Sequence, residues 1–356
     1  MRARALRRAG RAALTWPVEA SDLVAAGRSL AELPQVGPWV DRVMQAMFEA
    51  GAAPRTFDPL RDDFLTATEV QRTVAADAHA IAIKCDLQMH TTWSDGHSTL
   101  DEMVEAAAAR GYTHIAITDH SKGLAIAHGM DEERLSQQGE IIDAINGVDM
   151  SPQRMRVLRS IEVNLGLDGS TDMDGAALSR LDIVHGAFHS KLRLREDQTD
   201  RYIVALRNPD LHILGHPRGR MFNHRIGLHA GWHAVFEEAA RLDKAVEIDG
   251  YADRQDLNVE LLGIARETGV RVSIGSDAHH VVDLGYADFG LAAAAKAGIP
   301  ADRIINTLSV DELLGWVASL RERKPDSRIS GIPMRPAPAP EPPHARSRRD
   351  RRAAGT

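Results

Sequence analysis

The chain holds a single cysteine, Cys85, in 356 residues, so it cannot form an intramolecular disulfide. A lone thiol fits a reducing compartment. Cys85 lies in an apolar run with Ile81, Ile83 and Leu87 and reads as a core residue. No stretch approaches the roughly 18 apolar residues that a membrane span requires. The arginine-rich start lacks the apolar region of a secretory signal. The expected location is the cytoplasm, with no membrane partner. Aromatic residues are scarce, at 4%, which leaves Leu, Val, Ile and Ala to fill the core. No strand pattern runs into a Gly-rich phosphate-binding fingerprint, which weakens the case for an open doubly wound sheet.

Hydrophobic residues make up 44% and charged residues 26%, as in ordinary folded proteins. Net charge is −7, but the positive charge gathers at the ends. Arg2, Arg4, Arg7, Arg8 and Arg11 stand without an acid among the first eleven residues, and Arg346, Arg348, Arg349, Arg351 and Arg352 surround Asp350 alone. Such ends suit a polyanion, or are simply solvated. Residues 1–11 are expected to be a basic tail. Residues 12–80 read as a small helical module and connector, and 81–325 as the main domain. Residues 326–356, rich in Pro and Arg, read as a disordered tail.

Over 81–325 short apolar runs alternate with helical patterns. The runs are Ile81–Met89, His114–Thr118, Met155–Val163, Asp182–Phe188, Leu211–Leu214, Ala245–Ile248 and Val270–Ile274. One following helix repeats apolar residues at Leu100, Met103, Val104 and Ala107, with Ser98 or Thr99 as N-cap and Gly111 as the stop. Seven such units predict a parallel α/β fold. A closed or distorted barrel fits that number, with an open sheet as the alternative.

Ligand-type residues fall at the carboxyl ends of six of these seven strands, where the loops of a barrel converge. They are His90 with Asp95, His120, Glu162, His189, His216, and Asp277 with His279. Imidazoles and carboxylates packed together need partners or a metal. This donor set suits Zn²⁺, Mn²⁺ or Fe²⁺. Eight candidates exceed one tetrahedral site, so two or three divalent ions are expected, with Glu162 placed to bridge. Neighbouring ions activate water and clamp the oxygens of an in-line displacement at phosphorus. Lys122, Lys191, Arg218 and Arg220 follow the histidines closely, and Lys122 and Arg220 are the expected phosphate contacts.

The runs DLQMHTTWSDG, AITDHSKGL, RSIEVN, GAFHSK, ILGHPRGR and IGSDAHH, in this order, resemble the PHP (polymerase and histidinol phosphatase) family over about residues 83–316. The resemblance implies a distorted seven-stranded, TIM-like barrel and a trinuclear site hydrolysing phosphoesters. It makes His90, Asp95, His120, Glu162, His189, His216, Asp277 and His279 the metal ligands. Hydrolysis is expected to depend on Glu162, His216 and Asp277. Within the family the sequence most resembles the module at the carboxyl end of bacterial family X DNA polymerases, which is associated with 3′–5′ exonuclease and DNA-end processing. Gln88 stands where the opening motif usually has a histidine, so one metal position is expected to be weaker or differently selective.

Residues Ser29–Pro38 resemble a helix–hairpin–helix, which grips a DNA phosphate with backbone N–H groups. Gln35 replaces the first glycine usual in that turn, while Gly37 is kept. The expected function is metal-dependent hydrolysis at DNA 3′ ends, as a 3′–5′ exonuclease or 3′-phosphatase, with non-specific DNA contact through the helical module. No palm-type run of paired aspartates precedes the barrel, so no polymerase activity is expected. The alternatives are a small-molecule phosphomonoesterase such as histidinol phosphatase, and a non-catalytic DNA-binding module.

Overall fold

In the computed structural model, the described residues are 2–51, 58–76, 81–147 and 155–323. The tail expected over 326–356 lies outside them. The amino-terminal part is helical: α1 (Arg2–Ala12), α2 (Ala20–Ala25), α3 (Pro38–Glu49) and α4 (Ala67–Ala76). The alternating domain follows with β1 (Cys85–Asp86), α5 (Leu100–Ala109), β2 (His114–Ile117), α6 (Glu132–Gly147), β3 (Arg156–Arg159), β4 (Glu162–Asn164) and α7 (Gly175–Leu178). It continues with β5 (His185–Ala187), α8 (Thr199–Arg207), β6 (Ile213–Leu214), α9 (Trp232–Leu242), β7 (Ala245–Asp249), α10 (Val259–Thr268), β8 (Arg271–Gly275), α11 (Ala287–Ala297) and α12 (Val310–Glu322).

All strand pairs are parallel, in the orders β1-β2-β3 and β4-β5-β6-β7-β8. The expected strand Met155–Val163 is broken into β3 and β4 at Ser160-Ile161. The break lets β4 pair onward with the segment after β2, where Glu162 N donates to Asp119 O at 3.1 Å and Ser121 N to Glu162 O at 3.0 Å. At the other seam His90 N donates to Ala278 O at 2.8 Å and Asp277 N to Gln88 O at 3.0 Å. The two sheets thus meet on both sides as a distorted barrel of seven strand positions. Asn306 laces the lower part of the second seam: its side-chain amide donates to Cys85 O and Ile274 O and accepts from Ile274 N, at 2.7–3.0 Å.

The bottom of the barrel is plugged by α12, whose Leu313, Trp316, Val317 and Leu320 pack on Cys85, Ala116, Leu158, Ile183, Ile213 and Ala245. Thr99 and Glu102 form the capping box that starts α5, and Gly111, at φ 82°, follows its end. With one end filled by apolar side chains, the carboxyl ends of the strands are left as the open mouth.

Residues 2–40 have their own core, built on Trp16, Leu23, Leu30, Leu33, Val36 and Val40. The run expected as a basic tail, 1–11, is instead helical from Arg2. Ala5, Ala9 and Ala12 recur on one face and dock α1 on this core. The turn before α3 is kept without the first glycine, because Gln35 adopts φ 63°.

Candidate metal centre

Six of the seven strand positions hand a ligand-type residue to the mouth. β1 runs on to Gln88 and His90, and the loop beyond carries Asp95. Gly96 permits that loop: a Cβ there would lie 2.5 Å from the His90 carbonyl oxygen. β2 leads to His120, β4 opens with Glu162, β5 leads to His189, β6 to His216, and β8 to Asp277 and His279.

Glu162 is the hub. Its Oε1 lies 2.8 Å from His216 Nε2 and 3.2 Å from His189 Nε2. Its Oε2 lies 3.1 Å from His120 Nδ1 and 3.5 Å from His90 Nε2. His90 Nε2 is also 3.0 Å from Asp277 Oδ1. Asp95 Oδ1 faces His279 Nε2 at 3.5 Å and His120 Nε2 at 3.7 Å. Two groups hold all their ligand atoms within 4.8 Å: His90, Asp95, His120 and His279, and a second of His120, Glu162 and His189. His216 and Asp277 stand beside them, through Glu162 and His90. All eight expected ligands therefore come together.

The donor atoms approach one another without pairing. Both ring nitrogens of His90, Nδ1 of His120 and both oxygens of Glu162 are buried and lack an aligned hydrogen bond. Leaving such groups unsatisfied costs about 1–3 kcal/mol each. Divalent cations held among them would satisfy these atoms together, and imidazole nitrogen with carboxylate oxygen is a donor set for Zn²⁺, Mn²⁺ or Fe²⁺. Asp277 carries backbone strain at the site, with φ 52°.

Gln88 is buried with both amide atoms unpartnered, outside either group of ligand atoms. Of the expected phosphate contacts, Arg220 is a correction. Its guanidinium is buried over the Phe64 ring, 3.7 Å from the centroid, and donates to the carbonyls of Asp63 at 2.8 Å and Arg254 at 3.1 Å. Those bonds commit its Nε and Nη2 to holding the loop after β6. Lys122 is exposed and paired with Glu132 at 2.7 Å.

Three further residues belong to the site. The strand expected to end at Ile248 runs one residue further, and Glu247 and Asp249 share its inward face. Glu247 Oε2 accepts from His216 N at 2.6 Å, which fixes the backbone of that ligand. Arg254 forms an ion pair with Asp277 and stands 3.8 Å from Asp249 Oδ2. Burial pushes the Glu247 carboxyl up to about 8 and Asp249 well above the carboxylate range. Burial also acts on Asp277, but the guanidinium of Arg254 and the close imidazole of His90 hold it well below that range. Five carboxyl groups, those of Asp95, Glu162, Glu247, Asp249 and Asp277, gather at the mouth, and Arg254 faces two of them, Asp249 and Asp277. A bound cation would favour the ionised forms of these groups. The pattern Val-Glu-Ile-Asp was the available signal, since two acids two apart in a buried strand share one face.

Residues 86–252 match the PHP domain family. A relative named "DNA polymerase/3'-5' exonuclease PolX", from Bacillus subtilis (strain 168), is 36% identical over 232 residues, 65% of this chain. The chain spans 40% of that relative's length. A protein of Caldanaerobacter subterraneus subsp. tengcongensis named "Probable phosphatase" is 29% identical, with 67% of this chain and 92% of the relative covered. A crystal structure of histidinol phosphate phosphatase from Lactococcus lactis, complexed with zinc, L-histidinol and phosphate, overlaps with a TM-score of 0.40 at 15% identity, covering 58% of this chain and 92% of that one. The PHP domain match runs from β1 to just beyond β7 and so takes in the ligands from His90 to His216. Among the described residues no helix is long and apolar enough to cross a membrane.

Proposed function

We propose that the protein is a phosphoesterase dependent on two or three divalent cations, Mn²⁺, Zn²⁺ or Fe²⁺, and that it processes DNA 3′ ends. The observation that carries this reading is Glu162, a buried carboxylate ringed by four imidazoles with no aligned hydrogen bond. Bound cations supply a water of lowered pKa and neutralise charge on the phosphoryl oxygens. The chain's own residues do the rest. Glu247 holds the backbone of His216. Arg254, beside Asp277 at the mouth, is a better placed phosphate partner than Arg220. The preference for DNA draws on the polymerase-associated relative and on the basic helix beside the mouth.

A second reading, a small-molecule phosphomonoesterase, draws on the phosphatase-named relative, which the chain covers along 92% of its length. One panel separates them. Mn²⁺- or Zn²⁺-loaded protein is given a single-stranded oligonucleotide, a 3′-phosphorylated oligonucleotide and histidinol phosphate. Attack on the oligonucleotides with histidinol phosphate untouched is the expected result. Turnover of histidinol phosphate alone selects the second reading, and no turnover of any substrate by loaded protein refutes both.

A further inference from the structure

A cleft of about 770 Å³ lies between α1 and the barrel, with Arg4, Arg7, Arg8 and Arg11 on one wall and Arg61 and His224 on the other. On the other flank of the helix a second cleft, of about 550 Å³, runs from Arg8 and Arg11 to Gln35, Tyr251 and Tyr286. The two clefts share Arg8 and Arg11. Tyr251 meets the ring of the candidate ligand His279 edge-on, 6.3 Å between centroids. The loops lining these clefts are those that carry His216 and Arg254, so the clefts adjoin the mouth of the barrel.

The arginines are placed, not loose. Spacing of three and four puts Arg4, Arg7, Arg8 and Arg11 on one exposed face of α1, beside the alanines that dock it. Like charges at these spacings repel. Only Arg11 is compensated, by Asp253 at 3.3 Å; Arg4, Arg7 and Arg8 have no ion pair among the described residues. A row of exposed guanidinium groups carried on one helix, three of them without an ion pair among the described residues, favours a chain of regularly spaced phosphates. The tyrosines at the end nearest the mouth offer faces on which bases stack.

We infer that this arginine face is a guide for single-stranded nucleic acid, holding the strand that leads away from the metal centre. The inference rests on the reading of the centre as a phosphoesterase only for the strand's direction, and its test does not need turnover. Binding of fluorescein-labelled dT20 to the full chain is followed by anisotropy in EDTA, over a series of salt concentrations. Arg4→Gln/Arg7→Gln/Arg8→Gln removes three phosphate contacts and keeps good helix formers. The affinity is expected to fall at least about tenfold, and the slope of log affinity against log salt to lose about 2, since each contact on a single strand contributes about 0.7. Arg61→Gln, on the opposite wall, should weaken binding in the same sense. Metal-loaded hydrolysis of bis(p-nitrophenyl) phosphate, too small to reach the arginines, should be unchanged in both variants.

Unchanged dT20 affinity and salt slope in both variants would overturn the guide while leaving the phosphoesterase reading intact. Equal binding of inorganic polyphosphate and dT20, lost equally in the variants, would also overturn it, in favour of a general polyanion groove. Arginine-dependent dT20 binding by a protein that hydrolyses nothing would support the guide and sink the phosphoesterase reading instead.

Discussion

Glu162→Gln is the sharpest test of the centre, because the substitution keeps size and shape and removes one charge. Glu162 belongs to the ligand group it forms with His120 and His189, and not to the group of His90, Asp95, His120 and His279. If each group holds a cation, a ligand concentration of 100 times the dissociation constant stabilises the fold by about 2.7 kcal/mol per site, or about 5 kcal/mol for two. For a domain of this size about 1 kcal/mol moves Tm by roughly 2–4 °C. Saturating Mn²⁺ should therefore raise the wild-type Tm by about 10–20 °C over the protein in EDTA. In Glu162→Gln one group is spoiled, and about half of that rise should remain. Turnover should fall by about three orders of magnitude or more, since losing even a residue that only orients a ligand costs 10–100-fold. The assay is a thermal melt with and without metal, together with hydrolysis of bis(p-nitrophenyl) phosphate. A variant that keeps the full metal-induced rise and wild-type turnover would refute the assignment of Glu162 to the centre.

Other outcomes follow from the same packing. Arg254→Ala leaves Asp277 and Asp249 without their cation and should destabilise the metal-free protein by about 3 kcal/mol, as breaking a buried pair does; a chemical melt in EDTA checks it, and added Mn²⁺ should recover much of the loss. Asn306→Ala removes three buried hydrogen bonds at the β8–β1 seam and should cost about 3 kcal/mol in urea unfolding, with turnover per folded molecule unchanged. Burial holds His114 down to about 4 and His212 to about 3, against 6.5 for a free imidazole. The folded protein therefore leaves them neutral where the unfolded chain takes up protons. Stability in EDTA should be insensitive to these two above pH 6.5 and fall as the pH is lowered toward about 4. His114→Asn should flatten that fall, and an unaltered profile would count against a neutral buried His114.

The seven strand positions and the eight converging ligand-type residues were legible because both leave strong local marks. Parallel strands buried on both faces read as short apolar runs, and a histidine or acid directly after such a run has no packing reason to be there. Strand boundaries were less legible, and for a physical reason. The break at Ser160-Ile161 comes from the pairing of β4 with residues after β2, a contact forty residues distant in the chain that no local pattern encodes. Arg220 misled for a related reason. A guanidinium one turn after a ligand histidine fits a phosphate and a buried carbonyl cluster equally well, and only the approach of Asp63 and Phe64 decides.

The basic start shows the opposite error, in which composition hid structure. Arginine alternating with alanine scores as a solvated tail because the acid-free row repels itself. Ala5, Ala9 and Ala12 nevertheless recur at helical spacing, and burial of that face on Trp16 and its neighbours is what holds the helix. A helix stabilised by one face is free to keep an unfavourable charge row on the other, provided something outside the chain offsets it. The same logic applies inside the barrel, where Glu247 and Asp249 are buried on the inward face of β7 and desolvation opposes their charged forms. In both places the fold tolerates a local electrostatic cost where a partner of opposite sign, phosphates at α1 and cations at the mouth, can remove it. If neither salt nor nucleic acid alters the stability of the helix, and no cation alters that of the barrel, the cost has no such compensation and the link between the two sites fails.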